Sequence, residues 1–280
     1  MKIGWYLVFT SIVLLFLFSG IATAQIDAGL ADYYAGDTAE LAQQNLDANV
    51  EPLRDLFGFY SGGGLYNTAK THGTLGFDVG IRGIMMFVGD DMKSDWDGGA
   101  LGGEKGGPLG DYSVVPLPLL QASVGLGSGL DLIGRFFSYP IAENAAGDAE
   151  NITLIGAGIK YGLVQNMLMP RISVIAAYHK LIVPADYDFG DIGTASVDLV
   201  ISKGIPFLAT IYGGFGIDHT TMNVEIEVDG TTIKPDPYTA TNFRGVVGIK
   251  LDFIPFVFIN ADYNFGVHQG VSLGMGLSLR

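Results

Sequence analysis

No cysteine occurs among the 280 residues of this chain. Disulfides, thiolate metal sites and a lipid-modified N-terminal cysteine are thereby excluded. Basic residues are also scarce: 15 Lys and Arg stand against 29 Asp and Glu, for a net charge of −14. That balance argues against nucleic acid as a partner. Beyond its first two dozen residues the chain lacks any long apolar run. The longest uncharged stretch there, Tyr112–Leu130, contains Pro116, Pro118 and Gln121 and reads poorly as a helix. Mean hydropathy is nevertheless +0.36, so the apolar residues must be dispersed.

Their dispersal follows a period of two. In 243–253 the odd positions are Phe243, Gly245, Val247, Ile249, Leu251 and Phe253, and the even ones are Arg244, Val246, Gly248, Lys250 and Asp252. Successive strand side chains point to opposite faces, which leaves one face oily and the other charged. Ten such stretches are expected, at about 74–88, 114–127, 129–140, 152–163, 171–183, 195–203, 206–218, 242–253, 256–266 and 270–280. A soluble sandwich shows the same alternation with the oily face turned inward. The connections favour a barrel instead. Long polar segments, 89–113, 141–151, 184–194 and 219–241, follow strands one, three, five and seven, and short turns follow strands two, four, six and eight.

The N-terminus sets the compartment. Met1-Lys2 precedes an apolar run from Ile3 to Phe18, and Ala22-Thr23-Ala24 forms a cleavage pattern. Residues 1–24 therefore read as a signal peptide, with the mature chain starting at Gln25. An exported chain of alternating strands reads as a bacterial outer-membrane barrel. The fold class expected is an all-β transmembrane barrel of about ten (ten to twelve) antiparallel up-and-down strands, over residues 71–280. Aromatics near strand ends, Phe77, Phe87, Tyr161, Tyr178, Phe207, Phe215, Phe243, Phe253, Tyr263 and Phe265, would form two interfacial girdles.

Residues 25–70 form an N-terminal helical segment. Asp37 with Glu40 fits a capped helix start, and a second short helix would begin near Glu51, ahead of Pro52. Leu46, Val50, Leu53 and Phe57 make an apolar stripe at helical spacing, the face of a plug seated in the lumen. The glycine-rich stretch 58–70 reads as a flexible turn into the barrel. Parity assigns Asp78, Arg82, Asp131, Arg135, Lys160, Arg171, His179, Asp198, Arg244, Lys250, Asp252 and Asp262 to the lumen. They would pair with one another across it, line the path of a solute, or do both. Inward glycines such as Gly80, Gly125, Gly156, Gly214, Gly216, Gly248, Gly274 and Gly276 would relieve strand twist and bend, or leave room for the segment or a narrow pore.

Tyr66-Asn67-Thr68-Ala69-Lys70 leading into Gly76-Phe77-Asp78, with Gly156-Ala157-Gly158-Ile159-Lys160 and Ala176-Ala177-Tyr178, resembles an uncharacterised family of bacterial outer-membrane barrels over about residues 40–280. The resemblance implies location and fold but no reaction. A more distant similarity is to the long-chain fatty-acid channel family, in which an N-terminal segment plugs the lumen.

The function expected is passive transport of a small solute, hydrophobic solutes included, through a porin-like barrel. A structural or surface-interaction barrel with acidic extracellular loops is the alternative, and an omptin-like surface hydrolase the third reading. Asp90-Asp91 and Asp218-His219 lie near the rim where such a hydrolase works, but neighbouring strand residues face opposite sides. No catalytic set, metal site or cofactor is expected. Partners expected are outer-membrane lipid, the barrel-assembly machinery and a small-molecule solute, with no nucleic acid.

Overall fold

The computed structural model describes residues 51, 54–89, 113–143, 149–183, 190–206, 208–224, 226–228, 231–233, 236–254 and 256–279. Among these, the strands are Phe77–Phe87 (β1), Val114–Gly127 (β2), Leu130–Glu143 (β3), Ala149–Val164 (β4), Arg171–Ile182 (β5), Gly190–Ile205 (β6), Ala209–Val224 (β7), Ile226–Val228 (β8), Thr231–Ile233 (β9), Tyr238–Ile254 (β10), Val257–Gly266 (β11) and Gln269–Leu279 (β12). Ten of them close into one antiparallel barrel, and β8 and β9 form a separate two-stranded hairpin. Each barrel strand pairs with its neighbours in sequence, and β7 pairs with β10 across the hairpin. The seam is β1 against β12, in register from Phe77 opposite Leu279 to Phe87 opposite Gln269. Closure leaves no unpaired strand edge, the condition for crossing a bilayer with strands. No helix among the described residues is long and apolar enough to cross a membrane.

Both chain ends of the sheet lie at one end of the barrel, together with the turns β2–β3, β4–β5, β6–β7 and β10–β11. This is the short-turn end. The connections β1–β2, β3–β4, β5–β6 and β7–β10 lie at the other, the long-loop end, with the brief β11–β12 turn. Three strands reach at least four residues further toward the long-loop end than their alternation indicates. β6 starts at Gly190 instead of 195, β7 continues to Val224 instead of 218, and β10 starts at Tyr238 instead of 242. The polar look of Asp218–Thr221 masks the strand. Thr220 is inward and buried against Thr194, with 2.9 Å between their hydroxyl oxygens, while Thr221 pairs with Thr239 in the ladder. β-branched threonine suits a pleated surface.

The outward wall is apolar. Ile81, Leu132, Phe136, Ile159, Leu199, Phe215, Val247, Ile249, Leu273 and Met275 are all exposed on the barrel's outside. Among the aromatics expected near strand ends, Phe77, Phe87, Tyr161, Tyr178, Phe215, Phe243 and Phe265 are exposed. Tyr263 stacks on Phe265, with ring centroids 6.2 Å apart. Phe207 and the side chain of Phe253 lie outside the described residues.

The inward wall divides by height, which alternation alone did not reveal. From mid-height to the short-turn end it carries Asp78, Arg82, Asp131, Lys160 and Lys250, all buried. Near the long-loop end it carries Ile84, Met86, Val88, Val115, Leu119, Leu154, Ile192, Met222, Val224 and Tyr238, which form one buried cluster. The period-two signal assigns side chains to faces; at that height both faces of β1 and β2 are apolar, whereas on β7 and β10 the outward face turns polar at His219, Thr221, Asn223, Thr239 and Thr241.

Candidate functional site

The lumen is filled by the chain itself. Residues 54–62 form a helix (α1), Glu51 is also helical, and residues 63–76 continue outside helix and strand as a strap into β1. The stretch 58–70 is therefore part helix and part buried strap, where its glycines had read as a flexible turn. Its glycines act as fitted spacers. A Cβ on Gly58 would strike Thr220, one on Gly62 would strike Asp218 and Arg244, and one on Gly63 would strike Ile84. Gly64 stands at φ 60° and ends the helix in the left-handed conformation.

At the long-loop end, α1 packs Leu56, Phe57, Phe59 and Tyr60 into the apolar upper wall. Tyr60 OH donates to Val115 O at 2.8 Å. Arg54 Nε donates to Asp55 Oδ1 at 2.9 Å, and His268 Nε2 in the β11–β12 turn lies 3.3 Å from Asp55 Oδ2. Of the stripe expected for a plug, Phe57 is buried here, whereas Leu46, Val50 and Leu53 lie outside the described residues.

Below it, Arg135 donates from Nη1 to Ser61 O at 2.6 Å and from Nη2 to Gly63 O at 2.8 Å. The cation thus meets the carbonyl end of the helix, where the dipole is negative. Its neighbour His179 is fully buried, 3.5 Å from Arg135 Nη1. Arg244 Nε donates to Asp218 Oδ2 at 2.9 Å and Nη2 donates to Asp198 Oδ1 at 2.8 Å. Asp218 is accordingly a buried mid-lumen carboxylate and not a rim group, because β7 continues past it. His219 faces the other side and contacts Thr241 Oγ1 at 2.9 Å, so the two do not converge.

At mid-height Tyr66 packs edge-on against Tyr212, with centroids 6.2 Å apart. Tyr212 OH donates to Asp262 Oδ2 at 2.9 Å, and Arg82 Nη1 donates to Asn260 Oδ1. Arg82 and Lys250 each stand 5.2 Å from the Phe258 ring centroid, on a shared cation–π platform.

At the short-turn end the strap is tied most densely. Ala69 N donates to Ser202 Oγ at 2.9 Å, and Ala69 O accepts from Gln165 Nε2 at 3.0 Å and from Ser173 Oγ. Lys160 Nζ donates to Lys70 O at 3.0 Å and pairs with Asp131 Oδ2 at 3.0 Å. His72 N donates to Asp131 Oδ1, and His72 Nδ1 meets Asp131 Oδ2, both at 2.9 Å. His72 Nε2 lies 3.1 Å from Asp78 Oδ1, an ion-pair distance without hydrogen-bond alignment. Leu75 N donates to Gly125 O at 2.9 Å and Gly125 N to Gly76 O at 2.8 Å, which zips the strap to β2.

Of the residues assigned to the lumen, Asp78, Arg82, Asp131, Arg135, Lys160, His179, Asp198, Arg244, Lys250 and Asp262 are buried. Arg171 is half-buried at the short-turn end, and the side chain of Asp252 lies outside the described residues. Sequence reasoning missed Asp55, Tyr66, His72, Gln121, Gln165, Ser173, Tyr212, Asn260 and Asn264. Inward parity on the strands could have found Gln121, Ser173, Tyr212, Asn260 and Asn264. Nothing periodic marks Tyr66 or His72, because the strap has no regular repeat. The inward glycines make room for side chains: Gly125, Gly214 and Gly270 leave space for His72, Tyr66 and Phe59 of the segment, and Gly216, Gly248 and Gly274 leave space for Asp198, Tyr212 and Arg82 of the wall. Among the described residues, no group of three or more His, Asp or Glu is arranged to hold a metal ion.

Closed wall, apolar exterior and self-filled lumen together define a plugged antiparallel β-barrel of the outer-membrane type. The chain belongs to a family of unknown function, DUF6588, whose model matches residues 1–95 and 101–279. No curated protein matches it. Solved structures similar to it include the translocator domain of the autotransporter NalP from Neisseria meningitidis, at 9% identity and TM-score 0.43, covering 83% of this chain and 97% of that one. The attachment invasion locus protein Ail of Yersinia pestis is similar at 11% identity and TM-score 0.30, covering 74% and 98%. The outer-membrane protease OmpT of Escherichia coli is similar at 9% identity and TM-score 0.34, covering 76% and 100%. All are β-barrel proteins of bacterial outer membranes, and these likenesses bear on fold alone. The expected similarity to fatty-acid channels is not shown by them.

Proposed function

We propose that this protein is an outer-membrane barrel that passes a small solute when α1 leaves the upper lumen, after residues 1–24 have directed export. Lipid would surround the apolar outer wall, and the barrel-assembly machinery would insert it. The observation that carries this reading is the origin of the plug. The lumen is filled by one continuous segment tethered at Phe77, and not by side chains of the wall alone. A wall whose own residues met across the axis would need no plug, whereas this one encloses a space wide enough for a helix. The upper wall around α1 is apolar, which favours a solute with an apolar body. The dense ties of residues 69–76 keep the lower strap in place while the helix moves. Deleting residues 26–62 behind the intact leader tests the reading. Conductance in planar bilayers, or uptake of small apolar solutes, should rise while the barrel still assembles. Unchanged permeability in a correctly inserted barrel would favour the structural, surface-interaction reading instead.

A further inference from the structure

We infer that the chain enters its own barrel from the long-loop end, so that Glu51 stands at the cell-surface mouth of the lumen. The inference rests on the outer-membrane reading above and is independent of solute passage. It follows from the order of contacts along the segment. Asp55 meets His268 in the β11–β12 turn of the long-loop end. Tyr60 reaches Val115 in the second residue of β2, and Ser61 and Gly63 meet Arg135 further down. Ala69 reaches Ser173 and Ser202, and Leu75 and Gly76 reach Gly125 beside the β2–β3 turn. Sequence order therefore runs from long loops to short turns, and the chain then reverses into β1.

At this height α1 fills the lumen. α1 and the residue after it touch six strands of the wall: Gly63 against β1, Tyr60 against β2, Ser61 against β3, Gly58 against β7, Gly62 against β7 and β10, and Phe59 against Gly270 of β12. Leu154 of β4 and Ile192 of β6 belong to the same buried cluster. A helix with side chains is about 10–12 Å across, and here its glycines meet the wall without space for a single Cβ at Gly58, Gly62 or Gly63. A second chain cannot pass beside it in so closely packed an interior. Nor can an irregular chain cross the lipid outside, because its backbone groups would go unpaired in hydrocarbon. Glu51 therefore stands at the outer mouth, the point from which the chain descends through the lumen.

The absence of cysteine makes the test direct. Glu51 is exposed and, among the described residues, forms an ion pair with Arg54 at 3.5 Å, so E51C removes little. M167C, in the exposed β4–β5 turn, marks the opposite end. Intact cells are treated with a membrane-impermeant polyethylene-glycol maleimide, and folded barrel is scored by its altered mobility in unheated gels. E51C should be labelled on intact cells, and M167C only after the outer membrane is permeabilised. A protease-cleavable tag between Gln25 and Ile26 should likewise be removed by protease added outside. Labelling of folded E51C only after permeabilisation, with the tag protected on intact cells, overturns the inference and leaves the solute-passage reading to stand or fall on conductance.

Discussion

Arg135 on β3 reaches into the lumen and donates to the carbonyl of Ser61 at 2.6 Å, binding the wall to the last turn of the helix that fills it. A second donor of the same guanidinium holds Gly63 O at 2.8 Å. One buried cation thereby satisfies two carbonyls that a helix end leaves without intrahelical partners. Its charge also opposes the negative end of the helix dipole.

Replacing Arg135 with methionine should therefore loosen α1 while sparing the strand ladder. Leaving a buried carbonyl without its partner costs about 1–3 kcal/mol. The expected result is a lower unfolding midpoint and more frequent opening events in planar bilayers. R135K, which keeps the charge but cannot serve both carbonyls in a fork, should fall between. Opening unchanged in R135M would mean that the contact fills space and does not latch the helix.

The centre of the lumen rests on a different arrangement. Arg244 serves Asp198 at 2.8 Å and Asp218 at 2.9 Å, and all three are buried. Removing one member of a buried ion pair costs about 3–5 kcal/mol, because the partner charge stays behind. R244A strands two carboxylates and should destabilise strongly in urea-induced unfolding from detergent. The triple variant R244M/D198L/D218L removes the charges together and should recover much of the loss. If the triple variant is no better than R244A, the network holds the fold through its hydrogen-bond geometry and not through charge balance.

Strand number, closure and inward charge were legible because a period of two runs unbroken through segments such as 243–253. Parity is a local signal, and it carries over to Arg244, Lys250 and Asp262 without knowledge of their neighbours. The height at which the inward wall turns apolar was not legible. Ile84 and Met86 sit on a strand whose outward side, Met85 and Phe87, is also apolar, so the alternation fades there, while around Met222 the outward side turns polar at His219, Thr221 and Asn223 and the alternation inverts. The strap was the least legible part. Glycine at 62–64 reads as flexibility in a sequence, yet the same absence of a side chain lets this backbone press against Ile84, Asp218 and Ser272. His72 gives no warning of its role either, since Asp78 and Asp131 approach it only after the barrel has closed.

Wall parity supplies a sharper contrast at adjacent positions. Ile249 is exposed on the outside, whereas a Cβ at Gly248 would strike Tyr212 and Asp262 inside. I249R should cost about 2–4 kcal/mol if lipid surrounds this face near the bilayer midplane, and serine there should cost less. G248A, a far smaller change, should still impair assembly because it displaces the Tyr212–Asp262 hydrogen bond. Heat-modifiable gel mobility of both variants checks this. Free tolerance of arginine at 249 would remove the lipid-facing assignment.

The mouth of the lumen should respond to acid through Asp55. Burial, the largest influence on that carboxyl, works to raise its pKa, but the contacts from His268 and Arg54 together outweigh it and hold the group below its ordinary 3.8. A carboxyl depressed by folding binds fewer protons in the native state than in the unfolded one, so it stabilises the fold at higher pH. Its contribution is fully present above the ordinary value of 3.8 and is lost as pH falls through the lower folded-state value. Asp55→Asn removes the titrating group and weakens the link between α1 and the β11–β12 turn. Wild type should therefore hold its helix more tightly than D55N at neutral pH, and the difference should close on acidification below 3.8. Hydrogen exchange of the α1 amides, corrected for the intrinsic effect of pH, measures that difference. A gap that persists undiminished into acid would show that Asp55 acts by shape at the mouth and not by its charge.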